Sequence, residues 1–142
     1  MLRSPVPIVS AINGHAFGMG AMVVLASDYA VMRDDRGYFC LPEADLKMRL
    51  QPAMNELVRS KLSGRVLRDV LLTGKRIAAQ EALDSGIVDA TCANSDLLNT
   101  AIALAEPMYK DRKTLSDLRA DINQNILITH IYSSYIKNMN FI

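Results

Sequence analysis

Residues 7–20 read PIVSAINGHAFGMG, and this stretch decides which fold the rest of the chain is expected to adopt. Within it, residues 8–12 form a short β-rich run whose mostly apolar character is typical of a strand buried on both faces. Three glycines follow between residues 14 and 20. The next residues, 21–26, are apolar all round, which predicts a short buried helix. The stretch therefore predicts a strand, a glycine-containing loop and a helix in direct succession.

The chain that follows alternates between strand and helix patterns. Residues 29–33 and 38–41 have the composition of extended segments, and residues 34–37 between them have the chemistry of a tight turn. From Pro52 onward apolar residues recur at helical spacing, and a β-rich run returns at residues 87–91. This alternation is typical of α/β proteins, so an α/β fold is predicted.

Length and composition exclude several classes of protein. The chain has 142 residues, with 16 Lys and Arg against 15 Asp and Glu and a net charge of +1. This length suits one domain, and the near-neutral charge provides no field that would attract nucleic acid. The longest apolar run, residues 21–26, is far shorter than the roughly 20 residues of a membrane span. Cys40 and Cys92 are too few and too far apart for a disulfide scaffold or a cysteine metal site.

The glycines between residues 14 and 20 lie where backbone N–H groups at a helix N-terminus favour an anion. A dinucleotide-binding fingerprint has the same local order, but Val23 stands where its third glycine is required. A phosphate-binding loop does not fit at Gly74, because Arg76 stands where that motif needs Ser or Thr. The glycine segment thus indicates a loop whose backbone donors approach an anionic group.

The same stretch resembles the signature of the crotonase family, the enoyl-CoA hydratases and isomerases. The resemblance continues through residues 26–29, 39–43, 72–82 and 86–89. It implies part of the ββα spiral of the crotonase fold, followed by C-terminal helices. It predicts a crotonase-like domain at residues 1–118 that lacks the family's N-terminal half. Residues 119–142 are then a divergent tail, in which residues 124–142 have high β-propensity and Lys137 as the only formally charged side chain.

The resemblance also assigns an oxyanion site. In that family the carbonyl oxygen of an acyl-CoA thioester accepts hydrogen bonds from two backbone N–H groups, which stabilise an enolate. The residue that matches one donor is Met19, through its backbone. Removing such a preorganised donor costs roughly 2.7–4 kcal/mol in comparable sites. The substrate contacts implied by the resemblance are Ala16, Phe17, Gly18, Gly20, Met22 and Leu41.

The glutamates distinguish the reactions of the family. Hydratases use two glutamates to position and split water, and the first of those positions is Met22 here. Glu43 matches the second position, which is the single acid–base residue of the Δ3,Δ2-enoyl-CoA isomerases. A carboxylate there can take a proton from C2 and return it to C4 of a dienolate. The resemblance therefore implies an isomerase of unsaturated fatty acyl-CoA in β-oxidation, with Glu43 as the proton shuttle.

Two other functions stay open. One is a truncated, non-catalytic crotonase-like paralogue, because the resemblance places the second oxyanion donor in the half that this chain lacks. The other is a different crotonase activity, enoyl-CoA hydration or thioester hydrolysis. Residues 47–50 also bring charge close to the expected acyl pocket, where family members have a small, glycine-containing stretch.

The partner implied by the resemblance is a fatty acyl-CoA thioester. CoA is part of this substrate, and neither a separate cofactor nor a metal is expected. A homotrimer is expected for the intact form, without nucleic acid or a membrane span. The family resemblance points to the peroxisome or the mitochondrion, and no targeting signal is visible in the sequence.

Overall fold

Two small parallel sheets organise the chain, of which a computed structural model describes residues 1–108 and 111–139. The first sheet contains β1 (Val9–Ile12), β3 (Tyr29–Arg33) and β5 (Ala90–Cys92), with β3 in the centre. The second contains β2 (Ala16–Phe17) and β4 (Phe39–Cys40). All three strand pairings are parallel. Parallel neighbours need crossover connections, so this topology confirms the predicted α/β class.

Helices provide the crossovers and cover the sheets. In the described part of the chain they are α1 (Met19–Leu25), α2 (Pro52–Lys61), α3 (Gly64–Thr73), α4 (Ala79–Asp84), α5 (Leu97–Ala105), α6 (Arg112–Ile122) and α7 (Gln124–Met139). Short 3-10 turns precede and follow α5. Among these helices, none has the length and apolar character needed to cross a bilayer.

The strand that is buried on both faces is β3, and the prediction that assigned this property to residues 8–12 is wrong. In β1, Ala11 is exposed. In β3, Met32 faces the main core, whereas Val31 packs against Leu97 and Ala101 of α5. The central position of β3 explains the difference, because a central strand of a parallel sheet is covered on both sides.

The predicted turn at residues 34–37 joins strands of different sheets. β3 pairs with β1 and β5, whereas β4 pairs with β2. Gly37 has a φ of 100°, and a Cβ at this position would lie 2.0 Å from the carbonyl oxygen of Gly14. Only glycine fits this close backbone approach, which brings the start of β4 beside the start of β2.

The tail forms a helix despite its β-propensity. Residues 124–139 make up α7, which packs against α2, and Ile126 is buried in the main core. Burial of an apolar side chain against a neighbouring element outweighs a local preference for extended structure. Residues 140–142 of the predicted tail lie outside the described residues.

The side chain of Arg119 connects α6 to the segment before β1 and to Asp28. Its Nε donates to Oδ1 of Asp28 at 2.9 Å, and its Nη2 donates to Oδ2 of the same carboxylate. Its Nη1 donates to the carbonyl oxygens of Ser4 at 2.5 Å and Val6 at 2.6 Å. The Asp28 carboxylate also accepts the backbone N–H of Ile8 at 2.7 Å. Arg119 is only 5% exposed, and this burial lowers its pKa.

Replacing Arg119 should destabilise the fold strongly. We expect Arg119→Met to lower the free energy of unfolding by about 3 kcal/mol, because it removes the guanidinium donors from the buried side of the Asp28 carboxylate and from two carbonyl groups. Urea denaturation followed by circular dichroism measures this change. Arg112→Met, at the exposed start of the same helix, is the control, with an expected change below about 0.5 kcal/mol. Similar losses for the two variants would contradict this role of Arg119.

Candidate active site

The pairing of β2 with β4 brings the two predicted catalytic residues to one edge of a sheet. Phe17 is in register with Cys40, and the N–H of Gly18 donates to the carbonyl oxygen of Cys40 at 3.0 Å. The chain enters α1 at Met19 directly after β2, and Glu43 follows β4 by three residues. Because the two strands are parallel, both residues leave the sheet at its carboxyl edge. Ligands of parallel α/β sheets bind at such edges.

The N-terminus of α1 presents unused backbone donors. Gly18 precedes the helix with a φ of 51°, and the first helical hydrogen bond runs from the N–H of Met22 to the carbonyl oxygen of Gly18 at 3.0 Å. The N–H groups of Met19 and Gly20 come before this bond, so they have no helical acceptor. The side chain of Met19 is 63% exposed and points away from the core. This geometry leaves the predicted oxyanion donor at Met19 free to bind a ligand oxygen.

Glu43 lies in the wall of a cleft of about 550 Å³, hereafter the Glu43 cleft. Its Oε2 atom is buried, yet it has no hydrogen-bond partner among the described residues. Residues 41–51 form the loop between β4 and α2, hereafter the Glu43 loop. Within it, the N–H of Met48 donates to the carbonyl oxygen of Glu43 at 2.9 Å. Buried polar atoms without partners are rare in folded proteins, and an active site is one of the explanations for them.

The backbone behind Glu43 is fixed by the segment after α3. Phe39 and Ile77 exchange both backbone hydrogen bonds, at 2.8 and 2.9 Å. The thiol of Cys40 donates to the carbonyl oxygen of Gly74 at 3.2 Å. These bonds hold β4 from the side opposite β2, so the loop that carries Glu43 starts from a rigid strand.

The remaining walls of the Glu43 cleft come from residues that have no catalytic or substrate-binding role predicted from the sequence. α2 contributes Asn55, α3 contributes Leu71 and Leu72, and the loop itself contributes Met48 and Arg49. The helical spacing predicts Leu71 on the apolar face of α3, but no local motif signals a role for Asn55. Helix packing brings these residues to the cleft. The charge in residues 47–50 was the one sequence signal that pointed to this wall.

Met19 and Met22 line a second cavity, an apolar groove of about 320 Å³. Ala53 and Met54 of α2 also line this groove, whereas Pro52 and Asn55 line the Glu43 cleft. The first turn of α2 therefore contributes to both cavities. Met22 is only 5% exposed and lies on the buried face of α1.

The other predicted substrate contacts have mixed surroundings. Ala16 and Leu41 are buried in the main core. Phe17 is half-buried, and the guanidinium carbon of Arg76 lies 5.7 Å from the centre of its ring. Gly18 and Gly20 flank Met19 at the start of α1. The roles of these residues in substrate binding, like those of Met19 and Glu43, stay predictions.

A model of the enoyl-CoA hydratase/isomerase family matches residues 1–142. The chain belongs to the enoyl-CoA hydratase/isomerase family. It is 37% identical over 129 residues to the peroxisomal enoyl-CoA delta isomerase 2 of Arabidopsis thaliana, covering 89% of this chain and 53% of that protein. It is 35% identical over 104 residues to a carnitinyl-CoA dehydratase of Salmonella agona, covering 72% of this chain and 39% of that protein. The family predicted from the sequence is thereby confirmed.

Solved structures confirm the crotonase fold. An enoyl-CoA hydratase/isomerase family protein from Pseudomonas syringae superposes with a TM-score of 0.85 at 23% identity. The match covers 94% of this chain and 58% of that structure. The chain spans about half the length of the curated relatives and solved structures that it matches.

The reaction rates of the two cysteines with a thiol reagent should show whether β4, the strand before Glu43, is tightly packed. Cys40 is 2% exposed and burial raises its pKa, whereas Cys92 is half-buried in β5. The thiolate is the form that reacts with iodoacetamide. A raised pKa keeps Cys40 protonated at a pH where an ordinary cysteine has begun to ionise.

We therefore expect iodoacetamide at pH 8 to modify Cys92 well before Cys40 in the folded chain. Peptide mass spectrometry over a time course measures both rates. In concentrated urea the two rates should converge. Equal rates in the folded chain would show that β4 is not packed as described.

Proposed function

We propose that this chain carries the acid–base glutamate and an oxyanion donor of a Δ3,Δ2-enoyl-CoA isomerase that acts on unsaturated fatty acyl-CoA. The observation behind the proposal is the Oε2 atom of Glu43, which is buried in the wall of an open cleft and has no partner among the described residues. A carboxylate oxygen that the protein leaves unsatisfied keeps its capacity to accept a proton. Relatives named as enoyl-CoA delta isomerases support the proposal.

In the proposed mechanism, Glu43 first acts as a base. Its carboxylate removes a proton from C2 of the 3-enoyl thioester, and the electron pair of the broken C–H bond delocalises through the C3–C4 double bond. The negative charge of the resulting dienolate is concentrated on the thioester oxygen. The backbone N–H of Met19 donates a hydrogen bond to this oxygen and stabilises the charge as it develops.

Glu43 then acts as an acid. It returns the proton to C4, so the new double bond lies between C2 and C3 and the carboxylate is regenerated. One group serves both steps, because the proton never needs to leave the cleft. No water enters the reaction, and the other predicted glutamate position is occupied by Met22, whose thioether cannot activate water.

The same proposal includes the substrate, assembly and location. The substrate is a fatty acyl-CoA thioester, and the assembly is a homotrimer. Leu98 and Ile102 lie one turn apart on α5 and are 67% and 51% exposed, which provides an apolar surface for association. A peroxisomal location is proposed because a relative is named as peroxisomal.

Glu43→Gln is the test of the base. The amide keeps the shape of the side chain but cannot accept the proton, so we expect kcat for a 3-enoyl-CoA to fall by about 10²- to 10⁴-fold. Formation of the 2-enoyl-CoA is followed by ultraviolet absorbance. Glu106→Gln, an exposed residue outside the cleft, is the matched control and should change kcat less than about twofold.

Glu43→Gln at near wild-type kcat would refute the assignment of the base. A wild-type protein that binds acyl-CoA but converts none of it would favour the non-catalytic paralogue instead. Circular dichroism of both variants checks that neither substitution unfolds the chain.

The reaction should be selective for isomerisation over hydration. Because Met22 supplies no second carboxylate to position water, hydration of a 2-enoyl-CoA should be slower than isomerisation by about 10²-fold or more. The two rates are measured on the same preparation, with loss of ultraviolet absorbance reporting hydration. Comparable rates would identify a hydratase.

A further inference from the structure

Arg49 is an exposed residue in the wall of the Glu43 cleft, and it has no counter-ion among the described residues. In the described part of the chain, no carboxylate comes within 4.0 Å of its guanidinium, and it forms no hydrogen bond. Glu43 and Arg49 thus line one cleft without pairing. A base and a cation that neutralised each other would block the cleft to ligands, and the structure keeps them apart.

The side-chain amide of Asn55 is a second unused polar group in this wall. Asn55 is half-buried on α2, and its side chain forms no hydrogen bond with the described residues. The walls around these two groups are apolar, with Met48, Leu71 and Leu72. The Glu43 cleft therefore offers one proton acceptor and two donor groups that lack acceptors.

The guanidinium determines which ligands fit best. A neutral alkyl chain that covered Arg49 would displace its water and provide no acceptor in return, which costs free energy. A carboxylate would instead accept paired, charge-assisted hydrogen bonds from the planar guanidinium.

We propose that Arg49, together with the Asn55 amide, binds an anionic group of the thioester substrate and selects for substrates that carry one in reach of the cleft. This inference rests on the proposed function, which places the thioester beside Glu43. The anionic group is a carboxylate at the far end of the acyl chain, because the phosphates of CoA are common to all CoA thioesters and cannot distinguish one substrate from another.

The test measures binding by the whole chain, with ligands that do not react. Isothermal titration calorimetry gives Kd for octanoyl-CoA, for the CoA monothioester of octanedioic acid, and for the pantetheine monothioester of octanedioic acid, which lacks the phosphates. The variant is Arg49→Gln. Arg59→Gln, an exposed residue of α2 outside the cleft, is the control with the same change of charge.

The pantetheine thioester separates an acyl carboxylate from the CoA phosphates. If Arg49 binds an acyl carboxylate, Arg49→Gln weakens both octanedioic thioesters about tenfold or more and changes octanoyl-CoA less than about twofold. If Arg49→Gln instead weakens both CoA thioesters and leaves the pantetheine thioester unchanged, Arg49 binds CoA phosphates and the inference is overturned. Arg49→Lys should recover only part of the affinity, because an ammonium cannot form the paired bonds.

The inference is overturned if Arg49→Gln has no larger effect than Arg59→Gln on every ligand, or if the wild-type chain binds none of them. The proposed function is tested separately, by comparing the conversion of a 3-enoyl-CoA by the wild-type chain and by the Glu43→Gln variant. Binding that depends on Arg49 without any conversion would refute the isomerase proposal alone. Conversion that is insensitive to Arg49→Gln, with unchanged affinities, would refute the anion site alone.

Discussion

The pairing of β2 with β4 involves two residues on each strand, and the geometry of the candidate site depends on it. Ala16 lies opposite Phe39, and Phe17 lies opposite Cys40. A slip of one residue would turn Phe39, which is fully buried, to the other face of the sheet and would displace the Glu43 loop relative to α1. Such a short pairing is held in register from outside, by the backbone bonds between Phe39 and Ile77. The candidate active site thus depends on a segment more than thirty residues further along the chain than Glu43.

Arg119 and the buried Oε2 atom of Glu43 differ in their hydrogen-bond partners. Three nitrogens of Arg119 donate to fixed acceptors on Asp28, Ser4 and Val6, which suits a group whose role is to hold the fold together. Oε2 of Glu43 is buried and has no acceptor or donor opposite it in the described residues. A buried charge with a complete set of partners is structural, whereas an incomplete set leaves bonding capacity for a ligand. This difference, rather than burial alone, distinguishes the two sites.

The parts of the fold that the sequence predicts are those set by local pattern. The glycine segment and the apolar residues after it predict α1, and Pro52 predicts the start of α2, because both follow from backbone preferences within a few residues. Which strand is buried on both faces depends on sheet order, which local pattern does not contain, and the assignment to residues 8–12 therefore failed. The helical tail has the same cause, since contact with α2 decides its structure.

The candidate site likewise contains residues that local sequence predicts and residues that only tertiary packing places there. Glu43 and Met19 are assigned through short motifs that resemble those of the family, but Asn55 and Leu72 reach the cleft only through the packing of α2 and α3. The first turn of α2 lies between the Glu43 cleft and the groove lined by Met19. In the proposed mechanism, a thioester whose oxygen meets the Met19 N–H and whose C2 meets the Glu43 carboxylate binds beside this turn. Pro52 stands there with a fixed φ and no N–H to satisfy, so the turn is stiff and adds no competing donor.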